Sequence, residues 1–259
     1  MKRICIVNVK GGDGKSTICN TLPRALYHFH NKTSLVGDFD NQLNCTESYI
    51  DLDDIDENHT TYNALNDGFT PKPIYINDGI SLIPGESRLT ELDQQDFRLL
   101  TRARKVLRSE DGFDYAFYDT PGQEGNRVAA VLNASDALII PIKLTKFSMR
   151  ALDLTVSIIQ DVIEGPNPQL KVLGVVPMAV NSPINGVPTI EKELGFYEEV
   201  KEAFGDLLLP MIANRPAIYA KTSEMKIGVT ELPENEGKRK AVAEVKALAD
   251  EVFKRIEAL

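Results

Sequence analysis

The residues best equipped for chemistry lie together near the start of the chain. Lys10-Gly11-Gly12-Asp13-Gly14-Lys15-Ser16-Thr17 follows an apolar, β-branched run and opens a helical pattern. Glycines lack the Cβ that would stop successive backbone N–H groups from converging on phosphate oxygens, and the helix N-terminus behind them adds partial positive charge. Lys15 is placed to reach β- and γ-phosphates, and the Ser16 hydroxyl to ligate Mg²⁺. A glycine-rich turn that only caps a helix would not need lysine, serine and threonine in this register. A phosphate-binding loop is therefore expected over residues 10–17. The first glycine of the common G-x-x-x-x-G-K-[ST] pattern is missing, and Lys10 heads the glycines instead.

Three carboxylates belong with this loop. Asp38-Phe39-Asp40 ends a second apolar run, and two aspartates one residue apart project the same way from an extended chain. Asp119 ends another run, before Thr120-Pro121-Gly122-Gln123. At the C-terminal edge of a parallel sheet all three would face the phosphate–Mg²⁺ region. Taken singly, each is also an ordinary turn former.

Those positions presuppose strands and helices that alternate. Residues 4–9, 33–39, 80–84, 115–119, 137–142 and 172–180 read as buried strands, with 207–212 as a weaker seventh. Helical patterns fall at 16–29, 88–107, 126–133, 148–163, 190–204 and 238–256. Strands that are apolar throughout, alternating with helices, imply an α/β fold: a mostly parallel twisted sheet covered by helices on both faces. With no repeat or long linker, all 259 residues are expected to form one domain.

Composition narrows the function. Lys and Arg number 29 against 38 Asp and Glu, a net charge of −9. That excludes a generally basic nucleic-acid binder, though not a small basic patch on an acidic body. Cys5, Cys19 and Cys45 form no CxxC pair, which argues against a disulfide framework or zinc knuckle and for a reduced, cytoplasmic setting. The N-terminal apolar run is too short for a signal peptide, and no run of eighteen apolar residues occurs. The acidic stretch 51–58 lacks the spacing of a calcium loop and reads as solvated surface. His28 and His30 fit a helix C-terminus better than a metal.

Lys10-Gly-Gly-x-Gly-Lys-Ser-Thr resembles the deviant phosphate-binding loop of the ParA/MinD family of P-loop ATPases. The likeness continues in Asp38-Phe39-Asp40-Asn41-Gln42-Leu43-Asn44-Cys45-Thr46, in the strand ending at Asp119, in Asp136–Ile142, and more weakly at 60–65 and 81–85. It covers nearly the whole chain. It implies ATP and Mg²⁺ as ligands, with nucleotide contacts from Lys10, Gly11, Gly12, Asp13, Gly14, Lys15, Ser16 and Thr17. It also implies that Lys10 reaches across a dimer interface to the partner's nucleotide. Such a cation supplied in trans would make hydrolysis depend on dimerisation. Asp40 is implied to position the attacking water, and Ser16, Asp38 and Asp119 to surround Mg²⁺. Asn41 stands where the family commonly has proline, and Pro121-Gly122 replaces the Pro-Pro of many relatives.

Within the family, the last helix carries mixed charge opposite a narrow apolar stripe, unlike a lipid-binding MinD-type helix. No cysteine follows Cys45, as an iron–sulfur reductase would need, and no tyrosine follows Tyr219. The remaining branch is ParA proper. It implies a homodimer formed on ATP, nonspecific DNA as a surface, hydrolysis stimulated by a ParB-type centromere-binding partner, and a nucleoid-associated location without membrane. Residues 214–221 and 228–231 resemble the segment that supplies base contacts and basic side chains in this branch. Arg215, Lys221 and Lys226 are the DNA candidates, backed by Lys238, Arg239 and Lys240; solvated lysines on a helix rim are the plain alternative. Asn181 is the candidate adenine contact, or simply a turn cap. With the loop starting at residue ten, no N-terminal helix-turn-helix and no operator binding are expected. Two rivals stay open: a cargo-positioning ATPase of the same family that acts on a protein assembly, and a metabolic P-loop synthetase, which has no need of Lys10.

Overall fold

The computed structural model describes residues 1–94, 98–109 and 111–259. Strands β1 (Lys2–Ile6), β2 (Ser34–Asp38), β3 (Ile74–Asn77), β4 (Ile80–Ile83), β5 (Tyr115–Asp119), β6 (Ala137–Lys143) and β7 (Lys171–Met178) form one sheet, in the order β3-β4-β2-β5-β1-β6-β7. Every pairing is parallel except that of β3 with β4. The result is a single α/β domain. Alternation along the strands divides the core. Ile4, Ile6, Val36, Phe117 and Ile139 face helices α1 (Lys15–His30) and α9 (Glu236–Glu257). Cys5, Leu35, Ala116, Tyr118 and Leu138 face α4 (Arg98–Ser109), α5 (Asn126–Ala134) and α6 (Lys146–Glu164). Away from the edge strand β3 both faces of the sheet are dry, and the strand interiors are accordingly mostly apolar.

Register sets the site. Asp119, the last residue of β5, pairs with Ile6 at the end of β1 on one side and with Asp38 at the end of β2 on the other. The loops that leave β1, β2 and β5 therefore start side by side at one sheet edge.

Two expectations need correction, and one strand is additional to them. The span 207–212 is not a strand: a 3₁₀ turn occupies Gly205–Leu207, and Leu208 and Ala213 make only isolated bridges to Val175 and Val180. Pro210, without an N–H, could not complete a ladder there. The helix expected over 88–107 is a 3₁₀ segment at Ser87–Gln94 and then α4, with 95–97 outside the described residues. The edge strand β3 was not expected; it has four residues, is half exposed, and runs antiparallel.

Helix α1 contains Pro23, which cannot donate to the carbonyl of Cys19 four residues earlier. The hydroxyl of Tyr49 donates to that carbonyl instead, at 2.8 Å. Tyr49 lies just beyond the short helix α2 (Asn44–Glu47), so the bond ties the Asp40 loop to the helix behind the phosphate loop.

Candidate phosphate-binding site

Residues 11–17 wrap the start of α1. Gly12 and Gly14 sit at φ +82° and +101°, a region that residues with a Cβ rarely adopt. The loop after β5 packs directly against them: a Cβ on Gly122 would lie 2.8 Å from the backbone of Gly11. Together with the Asp40 loop they line a cavity of about 390 Å³ that includes Lys15, Ser16, Asp40, Asn41 and Gln123. Its polar groups all converge at the end of the sheet.

Lys15 is nearly buried, and its ammonium donates to the Lys10 carbonyl at 3.0 Å. Burial pushes this ammonium below its ordinary value, and the charges of Asp119, Asp40 and Asp13 oppose that shift. The Ser16 hydroxyl donates to Oδ2 of Asp119 at 2.6 Å. Oδ1 of Asp119 is buried and has no partner. Burial, with Asp38 close by, drives the Asp119 carboxyl well above the usual range. A buried oxygen without a donor beside a serine hydroxyl suits a divalent cation. Among the described residues no three His, Cys, Asp or Glu side chains converge on their own as a metal cluster. A cation here would have to share Asp119 and Ser16 with phosphate oxygens.

Asp38 is spoken for within its own loop. Its Oδ1 accepts from the Asp40 amide at 3.0 Å, and its Oδ2 from the Thr46 amide and hydroxyl at 2.9 and 2.7 Å. Burial raises its carboxyl to about 6 despite these bonds. Asp40 points into the cavity and accepts from the Gln42 amide at 3.0 Å. Lys10 folds back on its own loop: its ammonium lies 2.8 Å from Oδ1 of Asp13 and 2.9 Å from the Ser148 hydroxyl.

Sequence reading missed Arg127. It is fully buried, pairs with both carboxylate oxygens of Asp93, and donates to the Phe39 carbonyl at 3.2 Å and to Oδ1 of Asn41 at 3.4 Å. These two acceptors flank Asp40. A lone charge beside the apolar run 128–132 of α5 was the available signal.

Asn181 lies apart. Its amide donates to the Glu193 carboxylate and accepts from Asn214 at 2.8 Å, so both ends are engaged. A cavity of about 160 Å³ beside the loop is lined instead by Asn214, Pro216 and Tyr219, together with Gly12 and Met178. The basic candidates are split. Arg215 forms a two-point pair with Glu244, and Lys226 pairs with Asp51. Lys238 and Lys240 pair with Glu234 and Glu236, each at 2.7 Å. Lys221 and Arg239 are exposed and have no ion-pair partner among the described residues.

A family model described as an AAA domain matches residues 1–172. Protein IncC from Escherichia coli is 25% identical over 231 residues, which is 80% of this chain but 60% of that protein. The chromosome partitioning protein ParA from Myxococcus xanthus is 29% identical over 205 residues, 75% of this chain and 70% of that one. The chain belongs to the ParA family of P-loop ATPases. Solved structures agree on the fold of this ParA-family chain. A variant of McdA from Cyanothece in complex with ATP superposes with a TM-score of 0.81 at 20% identity, covering 99% and 96% of the two chains. Cobyrinic acid a,c-diamide synthase from Mycobacterium smegmatis, bound to ADP and magnesium, gives 0.77 at 20% identity, covering 100% and 96%. The likeness to a synthase as well as to McdA shows that the fold alone does not fix the activity. Among the described residues no helix is long and apolar enough to cross a membrane.

Proposed function

We propose that this chain is a partition ATPase. It binds Mg·ATP, pairs with a second copy across the nucleotides, associates with nonspecific DNA, and hydrolyses ATP when a ParB-type partner stimulates it. The observation that carries the reading is the convergence of Lys15, the Ser16–Asp119 pair and Asp40 on one cavity, beneath glycines with left-handed backbone. In this assignment the amides of residues 11–17 and the Lys15 ammonium hold the phosphates. Ser16 and Asp119 hold Mg²⁺, which when bound neutralises charge on the phosphate oxygens. Asp40 orients the attacking water and takes up its proton, while Asp38 holds the loop that presents Asp40. Lys10 serves the partner's nucleotide. Turnover without the stimulating partner is slow, because an oriented water alone lowers the barrier little. The curated names of the relatives support the partition assignment; Lys10 sets it apart from a synthetase.

Equilibrium ATP binding, sedimentation and phosphate release test this together. Lys15→Ala should lose nucleotide binding. Asp40→Ala should keep ATP binding and the ATP-dependent dimer while turnover drops by ~10²-fold or more. An Asp40→Ala protein with normal turnover removes the catalytic assignment, and a wild-type protein that stays monomeric with ATP removes the partition reading.

A further inference from the structure

Position 13 of the loop is open in the motif, and here it is an aspartate with no exposure at all. Its Oδ1 lies 2.8 Å from the Lys10 ammonium and accepts from the Ser148 hydroxyl at 3.1 Å. Its Oδ2 accepts from the Asn8 amide at 3.3 Å. Asn8 is fixed in turn by donating to the Pro141 carbonyl at 2.8 Å, and Ser148 by the cap of α6 through the Thr145 hydroxyl at 3.0 Å. Lys10 is the only cation within ion-pair distance of Asp13 among the described residues. Its side chain is 29% exposed, so the lysine stands at the rim with its charge already matched from within the same protomer.

That arrangement conflicts with a free lysine waiting for a partner. If Lys10 extends outward, the carboxylate beneath the phosphate loop keeps two neutral donors and loses its direct ion pair, leaving only the more distant Lys15 ammonium, an unfavourable state for a wholly buried ion. The ammonium is thus contested by Asp13 in the same chain and by a polyanion presented from outside.

We propose that Asp13 is the positioning residue for Lys10: it docks the ammonium in cis with Ser148, and a second copy's triphosphate must displace it before the lysine acts in trans. This rests on the reading of Lys10 given above. The threshold for ATP-dependent pairing is then set by one buried carboxylate, and removing its charge should release the lysine.

Sedimentation of the full chain with a nonhydrolysable ATP analogue tests the proposal as a double-mutant cycle. Asp13→Asn keeps the shape and the neutral bonds while deleting the charge, and should tighten the dimer about tenfold or more. In a Lys10→Ala background the same change should leave the dimer where Lys10→Ala alone puts it. Ser148→Ala removes one cis contact from the adjoining helix and should tighten the dimer by a few-fold even if Asp13→Asn folds poorly. An Asp13→Asn dimer as weak as wild type overturns the proposal. Equal tightening with and without Lys10 overturns it too, since the effect would then be loop electrostatics acting on nucleotide affinity. If Lys10→Ala alone leaves the dimer and its turnover intact, the trans assignment falls and the proposal falls with it.

Discussion

At the residue scale the site gathers carboxylates where water is excluded, and this has a pH consequence. Asp38 is fully buried, and burial raises its carboxyl from 3.8 to about 6 even though three donors point at it. Below the unfolded value both states carry the proton and the group contributes nothing. Between about 4 and about 6 the native state holds a proton that the unfolded chain has released, so stability falls as pH rises; above that window the penalty is constant. About two pH units at ~1.4 kcal/mol each amounts to about 3 kcal/mol. Urea denaturation of metal-free protein at pH 4.5 and pH 7 should therefore show wild type losing about 2 kcal/mol of stability relative to Asp38→Asn, the part of that window lying above pH 4.5. Parallel behaviour of the two proteins would mean that Asp38 is ionised throughout. Asp119 shifts in the same direction, by burial and by the charge of the neighbouring Asp38.

At the scale of elements, the site depends on contacts that sequence spacing does not announce. Tyr49 replaces the donor that Pro23 removes from α1, and in doing so holds the Asp40 loop to that helix. Tyr49→Phe leaves the buried Cys19 carbonyl unmatched and should destabilise the fold by ~1–3 kcal/mol in thermal or chemical unfolding. The loss should shrink in a Pro23→Ala background, where the helix supplies its own N–H; an equal loss in both backgrounds would place the effect elsewhere. Much of the architecture was legible without such detail. Strands buried on both faces read as continuous apolar runs, and the phosphate loop announces itself by glycine, lysine and serine in order. β3 was not legible because four half-exposed residues carry too little pattern. The run at 207–212 misled because it is apolar and yet holds a proline. Lys10 and Ser148, 138 positions apart, and Arg127 and Asp93, 34 apart, meet only through the fold.

At the scale of the whole molecule, charge decides how DNA could be engaged. Each protomer carries −9, so a pair carries twice that, and the bulk field repels a polyanion. Most basic side chains in the C-terminal segment are already matched: Arg215 by Glu244, Lys226 by Asp51, Lys238 by Glu234, Lys240 by Glu236. Lys221 and Arg239 remain unmatched among the described residues, and a dimer would double them to four cations. A nonspecific complex built on so few phosphates must be weak in the monomer and steeply dependent on pairing. ATP-loaded protein should therefore bind unrelated duplexes at low salt, while ADP-loaded protein binds far less. A plot of log affinity against log salt falls by about 0.9 for each phosphate neutralised, so Lys221→Ala in both subunits should flatten the slope by about 2. Affinity should drop similarly on every duplex, because phosphate contacts carry no base information. If the Lys221→Ala, Arg239→Ala protein keeps both affinity and slope, the DNA surface lies on another face. If no nucleotide state binds DNA at low salt, the ATP-driven pairing serves a protein assembly as its cargo surface instead.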